Sequence, residues 1–169
     1  DPEGIPVLFF HGWPGSRFSG KETDEAGKKT GVRIISTDRP GIGLSDYKKD
    51  RKLLEWPDDL VELADYLKIK KFSVMGVSGG GPYVAVCAYK IPERIIKAGV
   101  AVGLAPVDVP GNLEGMTFNG RIAWANYHRF PLLRTIGTIV VAIEFAYLPV
   151  IGSLIAFPTK EDRTLFKEA

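Results

Sequence analysis

Four short apolar runs constrain this chain more than any other feature. They are Ile5 to Phe10 (IPVLFF), Val32 to Thr37 (VRIIST), Phe72 to Val77 (FSVMGV) and Ile95 to Leu104 (IIKAGVAVGL). Each has the length and β-branched content of a strand, and together they lack the in–out polar alternation of a sheet with one wet face. The last run reads as buried on both faces. Helix-like patterns separate them, so the spacing predicts an α/β fold: a mostly parallel sheet with helices on both faces.

The intervening segments carry their own start and stop signals. Thr23 to Lys29 looks helical, after a Gly/Pro/Ser loop, HGWPGSRFSG. Leu53 to Leu67 places apolar residues at 53, 56, 60, 63, 64 and 67, one face of a helix, with Pro57 marking its start. Tyr83 to Ile91 reads as a helix that tolerates Pro82 in its first turn and is ended by Pro92.

The pattern changes near Pro106. Pro- and Gly-containing turns lead into an aromatic-rich helix-like stretch, MTFNGRIAWANYHRF, and then into Thr135 to Phe157, where Glu144 is the one charged residue. That last segment is long enough to raise a membrane span. Pro149, Gly137, Gly152 and the carboxylate at its middle favour instead two short apolar helices covering a pocket. The expected organisation is a core over 1–107 followed by a helical lid over 108–169.

Composition narrows the partners. With 22 basic and 20 acidic side chains scattered in both signs, the net charge is +2, and there is no basic stripe of the kind nucleic-acid binding requires. No His/Cys/carboxylate cluster stands at metal-ligand spacing. The single cysteine, Cys87, lies in an apolar segment and reads as a small buried hydrophobe, which fits a reducing, cytoplasmic compartment. The chain opens on DPEGIPVLFF without an initiator Met, so both ends are expected to be those of a fragment.

The chemistry centres on GVSGGGP, residues 76–82. Ser78 follows a buried strand and precedes a helix, which puts it on a sharp turn that would lift its hydroxyl above the sheet edge. Gly76 and Gly80 leave the room such a turn needs, and the following helix start aims main-chain N–H groups at any negative charge forming there. A phosphate loop is the competing reading of these glycines. It lacks both G-K-[ST] and G-x-G-x-x-G, so no nucleotide or other organic cofactor is expected.

Two further motifs precede it: HGWPGSR at 11–17 and DRPGIGLSD at 38–46. With all three in this order and spacing, the chain resembles the α/β-hydrolase superfamily, closely over residues 5–107 and loosely beyond. The resemblance implies that Ser78 is a nucleophile. It also implies that the main-chain N–H groups of Gly79 and Trp13 form an oxyanion hole, although Trp13 as a loop aromatic lining the pocket wall remains open. Asp38, Arg39 and Ser45 are expected to hold their loop rather than touch substrate.

A serine hydroxyl needs a base, and the base an orienting carboxylate. The family's order is serine, acid, histidine. His11 precedes Ser78 and is expected to brace its turn. The order Ser78, Asp108, His128 is formally satisfied, but no strand-like run between 108 and 128 would return a histidine to the sheet edge. Truncation is the more economical expectation, with acid and base beyond residue 169.

The implied activity is a serine hydrolase, esterase-like, acting on a small, largely apolar ester or related acyl substrate, without metal or cofactor. A non-catalytic member of the fold that binds a hydrophobic ligand or a protein is the rival. A membrane-contacting lid at 135–157 is a third possibility.

Overall fold

The computed structural model describes residues 2–116 together with 118, 121, 135, 136 and 139. The chain divides into two compact units, 1–105 and 106–169. Most of the expected lid, including His128 and nearly all of 135–157, lies outside the described residues. Among those described, no helix is long and apolar enough to cross a membrane.

The first unit is an α/β sheet layer. Strands β1 (Ile5–Phe10), β2 (Val32–Thr37), β3 (Phe72–Val77) and β4 (Ile95–Ala101) stand in the order β2-β1-β3-β4, every neighbouring pair parallel. Helices α1 (Asp24–Thr30), α2 (Trp56–Tyr66) and α3 (Gly81–Lys90) form the crossovers. Alternation along β2 shows that both faces are covered. Ile34 and Ser36 face Gly27 of α1 and Gly20 of the 3-10 turn before it, whereas Ile35 packs on the core shared with α2 and α3.

That core joins Leu8 and Phe10 of β1, Phe72 and Val74 of β3, Trp56 and Leu60 of α2, and Val84 and Cys87 of α3. Trp56 stands edge-on to both Phe10 and Tyr83, with ring centroids 5.4 Å apart in each pair. Burial pushes the Cys87 thiol up to about 12, so it is an inert hydrophobe rather than a reactive thiolate.

Strands β1, β2 and β3 occupy the residues their sequence predicts. The fourth does not. It ends at Ala101 instead of Leu104, and it is not buried on both faces: Ile96 is 48% and Val100 53% exposed. The physical reason is position, because β4 is the edge of the described sheet, paired with β3 on one side and with no described strand on the other. The predicted helix over 53–67 also divides. Leu53–Glu55 forms a 3-10 turn with both leucines partly exposed, and the α-helix proper begins at Trp56, with Pro57 in its first turn.

Candidate active site

All four strands run the same way, so their C-terminal ends share one sheet edge, the place where parallel α/β sheets gather loops for chemistry. The 11–16 loop leaves β1 there, the 38–46 loop leaves β2, and Ser78 leaves β3.

Ser78 is the residue at the turn. Its φ of 49° lies in the left-handed region, a conformation costing a non-glycine residue about 1–2 kcal/mol. A 3-10 turn, Ser78–Gly80, runs directly into α3, and the Ser78 carbonyl accepts from the N–H groups of Gly81 and, at 3.2 Å, Leu104. The glycines on either side are needed for space. A Cβ on Gly76 would stand 2.5 Å from the Gly80 oxygen, and one on Gly80 would stand 2.2 Å from the Phe10 oxygen. The turn is therefore pressed against its own strand and against the end of β1.

The loop after β1 lies over this turn. A Cβ on Gly12 would meet the Ser78 Cβ at 3.3 Å and its Oγ at 3.9 Å, and one on Gly79 would meet the Trp13 nitrogen at 3.3 Å. Ser78, Gly79 and the Trp13 N–H are thus brought together, as the sequence leads one to expect. Among the described residues no hydrogen-bond acceptor is matched to the Trp13 N–H. Trp13 is 48% exposed.

His11 is fully buried and is part of the scaffold. Its Nδ1 lies 2.7 Å from the Gly12 oxygen, and since a carbonyl only accepts, that nitrogen carries the proton. Burial holds the His11 pKa below its ordinary value, with the Arg39 charge acting the same way against the opposing pull of the Gly12 bond. A neutral, buried imidazole already bonded to the loop is a brace.

Asp38 and Ser45 also act within the scaffold. Asp38 accepts from the Arg17 N–H at 2.6 Å, from its guanidinium and from the Leu44 N–H, while Ser45 Oγ donates to the Asp38 carbonyl at 2.9 Å. Arg39 turns the other way. Buried to 6% exposure, it donates to the His11 and Gly12 carbonyls and lies 4.8 Å from the Tyr83 ring centre. Its sequence neighbourhood suggests only a role in its own loop, and nothing in the motif marks a reach of 27 positions. The Leu104 bond to the Ser78 carbonyl is equally unmarked.

Asp108 belongs to the turns of the second unit, where it lines a cleft of about 230 Å³ with Glu114 and Arg121. In the first unit a cleft of about 600 Å³ runs between the 38–46 loop and α2, lined by residues that include Thr37, Trp56 and Leu63; Ser78, Gly79 and Trp13 are not among them. No group of three or more His, Cys, Asp or Glu that could hold a metal occurs among the described residues.

A strained serine at a strand-to-helix turn, over the C-terminal edge of a parallel sheet, is a feature of one class of α/β folds. The family model described as alpha/beta hydrolase fold matches residues 5–134, and the chain belongs to that family. It is 35% identical over 100 residues to a proline iminopeptidase of Lactobacillus helveticus, a match covering 55% of this chain and 34% of that enzyme. A bifunctional esterase/perhydrolase of Acinetobacter calcoaceticus is 29% identical over 120 residues, covering 68% of this chain and 44% of the enzyme. Among solved structures, a hypothetical protein of Pseudomonas aeruginosa PAO1 superposes with a TM-score of 0.53 at 31% identity, covering 63% of this chain and 38% of that one. The chain thus spans between a third and a half of the length of these three relatives. Both of these curated relatives are named for hydrolytic activities, a peptidase and an esterase.

Proposed function

We propose that this protein is a serine hydrolase that cleaves a small, largely apolar ester or related acyl substrate through an acyl-enzyme on Ser78. The observation that carries the reading is the left-handed turn at Ser78 with the Gly12–Trp13 main chain directly above it. The Ser78 Oγ attacks the substrate carbonyl carbon, and its proton passes to a histidine base. The carbonyl π electrons move onto oxygen, giving an oxyanion held by the N–H groups of Gly79 and Trp13, each contributing about 3 kcal/mol. Collapse expels the alcohol, which takes the proton from that histidine. Water then adds to the acyl carbon as the same base takes its proton, and the bond to Ser78 Oγ breaks as that proton passes to the serine oxygen, releasing the acid.

The base in this reading is not His11, which is buried and bonded to Gly12. It is a histidine from outside residues 2–116. The esterase named among the relatives supports an ester as substrate, and the iminopeptidase supports acyl transfer more broadly. The test is active-site labelling of the full-length protein with a fluorophosphonate, followed by peptide mapping. Adduct on Ser78, lost in Ser78→Ala together with p-nitrophenyl ester hydrolysis, is the expected result. An unlabelled Ser78 would instead favour a non-catalytic binder on the same fold.

A further inference from the structure

We propose that Arg39 is a positioning residue of the oxyanion site, orienting and polarising the Gly12–Trp13 peptide so that the Trp13 N–H is held toward Ser78 as a strengthened donor. The proposal rests on the reading of Ser78 as nucleophile and adds a residue to that reading.

The argument starts from one carbonyl. The Gly12 oxygen accepts from three donors: His11 Nδ1 at 2.7 Å, the Gly15 N–H at 3.1 Å and Arg39 Nη2 at 3.2 Å. Its carbon is bonded to the Trp13 nitrogen, so this oxygen and the Trp13 N–H belong to a single planar peptide group. That peptide is trans, and in a trans peptide C=O and N–H point in opposite directions. Fixing the oxygen toward His11, Gly15 and Arg39 therefore directs the N–H to the other side, where the Trp13 nitrogen lies 3.3 Å from the place a Cβ on Gly79 would occupy.

Polarisation follows from the same bonds. Donors on a carbonyl draw electron density onto its oxygen and leave the amide proton more positive, a cooperative strengthening of about 10–30% per bond. A cationic donor does this more strongly than a neutral one. Arg39 is the charged member of the three, and its second nitrogen, Nη1, holds the neighbouring His11 carbonyl.

The surroundings fit a residue set in place for this purpose. Arg39 is buried, and among the described ion pairs none includes it; carbonyl oxygens and the Tyr83 ring face its charge. A buried cation is costly unless its donors are satisfied. Two adjacent carbonyls match the fork of a guanidinium and not the point charge of an ammonium. Tyr83 sits in the first turn of α3, the helix that follows the Ser78 turn, so one side chain connects the 38–46 loop, the 11–17 loop and the start of α3.

The experiment compares wild type, Arg39→Lys, Arg39→Ala and Ser78→Ala in the full-length protein. Turnover of p-nitrophenyl butyrate and the 1H–15N shift of the Trp13 amide are the two readouts. Arg39→Ala is expected to lower kcat about tenfold, less than the roughly hundredfold of losing an oxyanion donor outright, with KM changed less than about threefold. The Trp13 amide proton is expected to move upfield. Arg39→Lys should recover part of the loss, and added guanidinium should restore part of the activity to Arg39→Ala but none to Ser78→Ala. An unmoved Trp13 amide, or a kcat within threefold of wild type in a folded Arg39→Ala, would overturn the proposal. Failure of the underlying reading is distinguishable: Ser78→Ala would then keep wild-type turnover, whatever the Trp13 amide does.

Discussion

Arg17 reaches Asp38 twice, its main-chain N–H at 2.6 Å and its guanidinium on the second carboxylate oxygen. The 11–17 and 38–46 segments are thereby closed on each other across 21 positions. The Asp38 side chain is 3% exposed. Burial alone would raise its pKa, but the bonds from Arg17 and Leu44 outweigh it and hold the carboxyl below its ordinary value. A depressed folded-state pKa contributes stability that is full above the unfolded value near 3.8 and is lost as pH falls through the folded one. Asp38→Asn is expected to destabilise the protein by about 2 kcal/mol at neutral pH, because the Arg17 guanidinium loses a charged acceptor. It should also flatten the fall of Tm below pH 4. Thermal melts from pH 7 to pH 2.5 on both proteins check it; parallel curves would show that Asp38 contributes nothing at acid pH.

His11 governs a different window. Its folded-state pKa lies below 6.5, chiefly because burial disfavours the charged ring. As pH drops below 6.5 the unfolded chain takes up the proton first, so stability decreases with acidification until the folded pKa is passed. Wild type should therefore lose Tm as pH falls below 6.5, above the range of Asp38. His11→Gln, which cannot titrate, should show a smaller slope there while being less stable throughout. Equal slopes in the two proteins would mean that His11 takes no part.

Glycine replacements separate the space around the serine from the rest of the sheet. A Cβ on Gly80 would stand 2.2 Å from the Phe10 carbonyl oxygen, a main-chain atom that cannot swing away, whereas a Cβ on Gly99 would meet nothing within 4 Å. Gly80→Ala is expected to cost about 3 kcal/mol or to misplace Ser78, with loss of fluorophosphonate labelling. Gly99→Ala should be neutral or stabilise by up to about 1 kcal/mol, since it only reduces the freedom of the unfolded chain. Denaturant melts and labelling rates on the pair decide it; a Gly80→Ala protein as stable and as reactive as wild type would contradict the packing described.

Which parts of this were legible in the sequence follows from what each part depends on. Ile5–Phe10, Val32–Thr37 and Phe72–Val77 are strands at their predicted residues because each is a self-contained apolar run stopped by a glycine, proline or charged loop. The turn at Ser78 was readable for the same reason: Gly76, Gly80 and the flanking run are all local. The burial of β4 was misread because it depends on what pairs beside Ile96 and Val100, which their own residues do not state. Arg39 was assigned to its own loop because the carbonyls it bonds carry no side-chain signature, and a contact across 27 positions leaves no periodicity to detect. His128 and most of 135–157 lie outside the described residues.

Trp13 offers the sharpest separation between main-chain and side-chain roles. Its nitrogen is the atom placed near Gly79, while the residue as a whole is 48% exposed. If the N–H is the oxyanion donor, Trp13→Ala keeps the donor and removes only apolar surface. The expected result is kcat within about threefold of wild type. KM for a p-nitrophenyl ester should rise about tenfold, the 1.4 kcal/mol that a partly buried aromatic wall would contribute to binding. Loss of about a hundredfold or more in kcat at unchanged KM would mean that the indole itself shapes the transition state. Unchanged kcat and KM would remove Trp13 from the pocket wall while leaving its N–H in place. Steady-state kinetics on this single variant therefore reads the contribution of the indole alone, with the main-chain N–H preserved.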